Sequence, residues 1–225
     1  TTDFIRFAEW NPDAGTYDRE SIKAADVIVN LAGENVGSKK WTAKRKEEIN
    51  TYLWDEKKGF FYDYCYTNKR ISDFLSLASF TPLWAGLATK EQAAQMVKKL
   101  HIFETDYGLV INAKQSLAPR VDLSEIPIRY RAALEGILKP KQWDYPNIWP
   151  PLEYLTVIGL LKYGYVEDAK RIMEKSVKAH AAIFRKYNTF MEKIHGETGD
   201  RADTFHYELQ EGFGWTNAVF YRYIH

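Results

Sequence analysis

Much of what would narrow this chain is missing from it. It has a single cysteine, Cys65, so no disulfide can form within it and the redox surroundings stay open. It shows neither a charged-then-apolar leader nor an apolar run of about 18 residues. The expectation is therefore no membrane partner, and the lack of a signal peptide favours a cytoplasmic setting. Net charge is almost nil, 31 Lys and Arg against 30 Asp and Glu. A nucleic-acid partner needs a basic surface that displaces counterions, and composition offers none. His101, His180, His195, His206 and His225 show no metal-ligand spacing. No metal and no other cofactor is expected.

What is present is apolar and aromatic. Hydrophobic residues make up 45% of the 225, enough for a sizeable core, and the length suits one domain or one domain with an appendage. Aromatics reach 15%. Such residues stack on sugars, and they also pack helical hairpins.

The most informative stretch is KQWDYPNIWPPLEYLTVIGLLKYG, Lys141 to Gly164. Pro146, Pro150 and Pro151 fix φ and lack an N–H, so Gln142 to Trp149 is no helix interior. Residues before proline are pushed to extended geometry, which makes the segment a stiff loop. Pro151 suits the first turn of the helix that follows. Leu152, Leu155, Ile158 and Leu161 predict its apolar face, widened by Val157 and Leu160. Trp143 and Trp149 beside Asp144 and Asn147 form a pattern suited to a sugar, with indole on the apolar face and polar groups on the hydroxyls. They suit equally a pair of core tryptophans at a helix start.

Elsewhere the pattern is helix, short loop, helix. Trp41 to Trp54 reads as a helix with Thr42 as N-cap and Ile49, Leu53 and Trp54 apolar. Lys57-Lys58-Gly59 turns the chain into an extended aromatic stretch, Phe60 to Tyr66. Ser72 to Ala88 reads as an apolar helix kinked or split at Pro82. Lys90 to Leu100 is amphipathic with Thr89 as cap. Phe103 to Leu138 is loop-rich, and loops of that length are usually functional. Val166 to Lys186 is the longest helical pattern, carried by Ala169, Ile172, Met173, Val177, His180 and Phe184. His180 is expected as a satisfied core or rim residue.

Four blocks carry a family resemblance. QWDYPNIWPPL resembles the second signature of the trehalases, glycoside hydrolase family 37. QEGFGWTNAVFYRY, Gln210 to Tyr223, resembles their QxGFGWTNG block. MEKIHGETGD, Met191 to Asp200, stands at their EKYD motif, and INTYLWDEKKGFFYDY, Ile49 to Tyr64, resembles their YLW segment. The resemblance implies a mainly α fold, part of an (α/α)6 barrel of helical hairpins. It implies inverting hydrolysis of trehalose or a related α-glucoside, with Glu192 as general base. Inversion needs a second carboxyl about 6.5–9.5 Å away to protonate the leaving oxygen. The resemblance places Gln142, Trp143, Asp144, Asn147, Trp149, His206, Gln210, Glu211, Phe213 and Trp215 at the substrate. Ile194 and His195 depart from EKYD, and His206 stands where the family has a glutamate, followed by Tyr207. The family's acid, the Asp of a GWDxSxRW-like block, and its sugar-gripping arginines have no counterpart in this chain.

Residues 1–49 carry a different likeness. EWNPDAGTYD and AADVIVNLAGENVGSKKWTAKRKEEI resemble the epimerase-like short-chain dehydrogenases, which implies a short α/β-like segment with a strand over Val27 to Leu31. Gly33 and Asn35 lie in that block, yet the GxGxxG phosphate loop is absent. The expected division is 1–48 as an appendage and 49–225 as the helical domain. Three readings follow: a trehalase-like glycosidase lacking its acid, a non-catalytic sugar-binding or structural helical module, and an NAD(P)-dependent oxidoreductase fragment. An open piece of a helical ring also predicts self-association through exposed helix faces.

Overall fold

The computed structural model describes residues 10–11, 16–17, 42–65, 69–117, 127, 141–202 and 207–225. The expected strand at Val27 to Leu31, with Gly33 and Asn35, lies outside these residues, as do His206 and residues 118–126 and 128–140. Contacts divide the chain into Thr1–Thr42 and Ala43–His225. Within the first unit, β1 (Trp10–Asn11) and β2 (Thr16–Tyr17) pair antiparallel.

The second unit is mainly helical. It opens with α1 (Ala43–Leu53), which runs into β3 (Trp54–Asp55). The Asp55 carboxylate accepts the N–H groups of Lys57 and Lys58, both at 3.0 Å, and turns the chain into β4 (Phe60–Phe61). A second ribbon pairs β5 (Tyr64–Cys65) with β6 (Arg70–Ile71). The helix expected over Ser72 to Ala88 is instead a 3-10 turn, Leu77–Phe80, followed by α2 (Thr81–Ala85). Pro82 therefore lies in a first turn, where its missing N–H leaves no bond unmade. The helix α3 (Lys90–Val97) begins with a capping box between Thr89 and Gln92. Gln92 then reaches Asn50 of α1 at 2.8 Å.

Three long helices complete the unit. They are α4 (Pro150–Lys162), α5 (Val166–Tyr187) and α6 (Gly214–Ile224). Between the 3-10 residues Lys114–Leu117 and α4 lies β7 (Asn147–Ile148), and between α5 and α6 lies β8 (Ile194–His195). Pro150 and Pro151 occupy the first turn of α4, as their chemistry requires. Glu167 and Asp168 open α5 and Arg185 and Lys186 close it, each sign complementing the helix dipole.

α4 is the hub, packed against α2, α5 and α6. Its buried stripe is not the expected one. Glu153, Thr156, Val157, Gly159 and Leu160 are buried, while Leu161 is 38% exposed. The apolar pattern runs almost all round this helix, so periodicity could not fix its orientation. Gly159 does, because a Cβ there would lie 2.9 Å from the Leu83 side chain and from the Trp84 backbone. On α5 the inward face is Ala169, Ile172, Ser176, Ala179, His180 and Ile183, and Phe184 turns outward. Farther along, Phe60, Phe80 and Phe103 meet edge-on and stacked, with Leu77, Leu83 and Met96 around them. Each such side chain contributes roughly 1.5–3 kcal/mol through its removal from water.

Candidate active site

The Gln142–Trp149 loop is tied down from within. The Trp149 indole N–H donates to the Gln142 carbonyl at 2.6 Å, and the Asn147 amide donates to the carbonyls of Lys141 and Gln142, both at 3.1 Å. The Asp144 carboxylate accepts the Lys141 N–H at 2.8 Å. The Tyr145–Pro146 bond is cis. Asn112 reaches in to donate to the Trp143 carbonyl at 2.6 Å. Trp149 is 2% exposed and Trp143 is 46% exposed, their rings stacked at 3.9 Å. Trp149 is thus a core indole, and Trp143 lies on it, half exposed.

A ladder joins this loop to the segment that carries Glu192. β7 and β8 pair antiparallel, Asn147 opposite His195 and Ile148 opposite Ile194, and the Gly196 N–H donates to the Pro146 carbonyl at 2.8 Å. From the other side, the Glu192 N–H donates to the Gln210 carbonyl at 2.9 Å, and Trp215 Nε1–H donates to the Glu192 carbonyl at 3.1 Å. Thr216 Oγ1 donates to the Met191 carbonyl at 2.8 Å. The backbone around Glu192 is thereby fixed by three elements.

Its carboxylate is held as firmly. Glu192 is 7% exposed. Lys193 Nζ donates to Glu192 Oε2 at 3.0 Å and also to the Tyr207 hydroxyl, which in turn donates to Oε2. Lys193 is fully buried, its ammonium 5.3 Å from the Trp149 ring centre and 4.3 Å from that of Tyr207. Burial, with Glu192 alongside, holds the Tyr207 hydroxyl well above its ordinary pKa, so it remains a donor. One carboxylate oxygen thus carries two donors.

Tyr207 lines a cleft of about 480 Å³ together with Lys141, Gln142, Trp143 and Asp144. That volume lies within the range of about 300–1,000 Å³ found for small-molecule sites. A larger hollow of about 670 Å³, between Tyr107 and the Arg171–Lys175 stretch of α5, contains none of the residues picked out from sequence. Trp215 sets its edge on Trp149 with ring centres 5.3 Å apart, and Phe213 packs on Trp215 at 4.5 Å. Gln210 and Glu211 lie close in the chain but point elsewhere. The Gln210 amide donates to the Glu208 carbonyl at 3.0 Å, and the Glu211 carboxylate takes Arg201. His206 is outside the described residues. Among the described residues no group of three or more His, Cys, Asp or Glu could hold a metal ion. Sequence reading gave no role to Lys193 or Tyr207; their only signal was adjacency to Glu192 and to the position of His206.

The layout of hairpins, with sites built from the loops between them, is that of part of an (α/α)6 barrel. A GH63 mannosylglycerate hydrolase from Thermus thermophilus, solved with glucose, shares this fold at TM-score 0.59 and 17% identity, covering 80% of this chain and 39% of its own. Residues 17–225 match the trehalase family model, and the chain belongs to the trehalase family. It is 35% identical to a probable trehalase of Eremothecium gossypii over 212 residues, 87% of this chain and 27% of that protein. It is 36% identical to the cytosolic neutral trehalase of Saccharomyces cerevisiae over 189 residues, 78% and 23% respectively. The structure of neutral trehalase Nth1 from Saccharomyces cerevisiae superposes at TM-score 0.61, covering 80% of this chain and 28% of that one. The chain thus spans about a quarter of the length of these relatives.

Proposed function

We propose that this chain forms the base-bearing wall of a trehalase site, acting on α,α-trehalose or a related α-glucoside with inversion. The observation that carries the reading is the placement of Glu192. Its Oε2 is bound by Lys193 and Tyr207, and Tyr207 faces the cleft floored by Trp143. In this reading a sugar ring lies on the open face of Trp143. Asp144 and Gln142 meet its hydroxyls at the rim, and Asn147 and Trp149 shape the loop from behind. Glu192 Oε1, the oxygen outside the clamp, takes a proton from water as the water attacks the anomeric carbon. The C–O bond breaks, and the leaving oxygen needs a proton from an acid across the bond.

That acid has no counterpart among the family blocks of this chain. Loss of a general acid lowers rate by about 10²–10⁴-fold. The absence favours a second reading, a sugar-binding module without turnover. Glucose release from α,α-trehalose by the 225-residue chain, beside Glu192→Gln, tests the first. Release that vanishes in the variant means an acid is present and Glu192 is the base. Equal release from both removes Glu192 from the role. Without release, a saturable change in tryptophan fluorescence on adding trehalose or validoxylamine supports the second reading, and no change removes both.

The break in contacts after Thr42 supports treating residues 1–48 as an appendage to the 49–225 domain, whereas the family match from residue 17 weighs towards a longer trehalase part. The epimerase-like likeness stays a proposal for those residues. Exposed Phe184, Tyr221 and Ile224 support self-association through α5 and α6.

A further inference from the structure

Among the described residues, Glu153 is the one fully buried carboxyl that the proposed chemistry leaves unused. It lies in the first turn of α4 and is 0% exposed. Oε2 accepts the Leu109 N–H at 2.8 Å, and Oε1 has no partner. An ionised carboxylate with so few donors is poorly solvated there, and the neutral acid is the form that fits. Among the described residues no cation offsets it. α5 brings Ser176, with His180 behind it, and α6 brings Tyr223, whose own buried hydroxyl has no partner. Its own helix adds Tyr154 next in sequence. α2 and the 3-10 turn before it, LASFTPLWA, contain no ionisable side chain. Arg171 and Lys175 of α5 are held on Glu104. Burial pushes the Glu153 carboxyl up to about 7, against smaller downward pulls from Ser176 and the Leu109 N–H.

Glu153 is bonded towards the aromatic loop in two ways, one through its backbone and one through its carboxyl. Its backbone N–H donates to the Trp149 carbonyl at 3.3 Å. Its side chain holds Leu109, and two residues on the Ile111 N–H donates to the Asn147 carbonyl at 2.9 Å. Asn112 then donates to the Trp143 carbonyl at 2.6 Å. Gly108 lets this segment approach, since a Cβ at its φ of 136° would lie 2.2 Å from Oε2. We propose that Glu153 is a positioning residue for the sugar wall: it holds the Gly108–Asn112 segment against the Gln142–Trp149 loop while neutral, and on ionisation its unpartnered Oε1 draws water into the packing and loosens that loop. The consequence for sugar binding rests on the trehalase-site reading; the hold on the loop does not.

An acid kept neutral in the fold but free to ionise when unfolded gives stability that is intact below its ordinary value and falls as pH rises towards its folded value. The test uses the full chain and Glu153→Gln, which keeps the acceptor and cannot ionise. Comparison at matched pH cancels His180 and the surface carboxylates. Between pH 4.5 and about 7 the unfolding constant of the wild type, relative to the variant, should rise by on the order of a hundredfold. Trp143 emission, taken as the difference from Trp143→Phe in each background, should shift over the upper part of that range in the wild type only. A pH-independent offset in the urea midpoints overturns the neutral acid. A pH-dependent midpoint with unchanged Trp143 emission overturns the positioning role. If Glu153→Gln fails to fold, 13C NMR of the glutamate carboxyls in the wild type decides: one titrating near 7 supports the proposal, and all titrating in the ordinary range sinks it. Both signatures without any response to trehalose would leave Glu153 as proposed and remove the sugar reading.

Discussion

The indole of Trp143 lies flat on that of Trp149, ring centres 3.9 Å apart and planes within 11°. One ring is buried and bonded, and the other is half in solvent. Under the proposed trehalase reading the pair separates stability from binding. Trp149→Ala should cost about 3–5 kcal/mol, as large aromatic truncations in cores do, read from urea unfolding. Trp143→Ala should leave the urea midpoint almost unchanged and weaken trehalose or validoxylamine binding by roughly tenfold, about 1.4 kcal/mol. A large stability loss in the Trp143 variant would count against its role as a platform.

Lys193 and Glu192 form a buried ion pair, with side chains 1% and 9% exposed. Removing one member of such a pair strands the other. Lys193→Met should destabilise by about 3–5 kcal/mol. Glu192→Gln in the same chain should recover part of that loss, because the stranded charge is gone. A double-mutant cycle on urea midpoints measures the coupling, and simple additivity would show that the two do not act as a unit.

His180 is 2% exposed on α5 and donates Nδ1–H to the Ser176 carbonyl at 2.9 Å, while burial holds its pKa below 6.5. The unfolded chain takes up that proton first. Stability from this group is therefore intact above 6.5 and lost as pH falls below it, by at most about 1.4 kcal/mol per pH unit. His180→Gln should remove that part of the slope in urea midpoints between pH 6.5 and 5. An unchanged slope would mean that His180 takes up its proton equally in the folded and unfolded chain, against the burial argument.

Phe184, Tyr221 and Ile224 are 43%, 58% and 50% exposed, and Phe190 links α5 to α6 through contacts with Phe184 and Phe220. The mass from light scattering should rise with protein concentration, and Phe184→Glu with Tyr221→Lys should lower it. A sharp monomer at all concentrations would rule out association through this face.

How far the fold was legible depended on where its determinants lay in the chain. The stiff loop before α4, the first-turn prolines and the Thr89 cap are local devices, and each residue carries its own reason. The α4 face was not legible, because Glu153 reads as a surface residue until Leu109, 44 positions away, supplies its donor. Lys193 is hidden in the same way: its burial depends on Glu192, Tyr207 and Trp149 converging from three segments. Among the candidate site residues, Glu192 was reached through the family likeness, and the Lys193 and Tyr207 contacts to it only through tertiary structure.

The ladder of Asn147 with His195 and Ile148 with Ile194 also acts as a ruler. Side chains on a strand alternate faces, so a slip of one residue would turn every inward group outward. Glu192 stands two positions before Ile194 and Trp149 one position after Ile148, so the span between the Glu192 carboxyl and the buried Trp149 indole is counted out in strand residues. Lengthening either arm by one residue would undo the site without disturbing a helix. In the proposed trehalase reading, changes that tune which sugar is accepted would then fall at the rim, at Gln142 and Asp144, while the spacing behind them stays fixed.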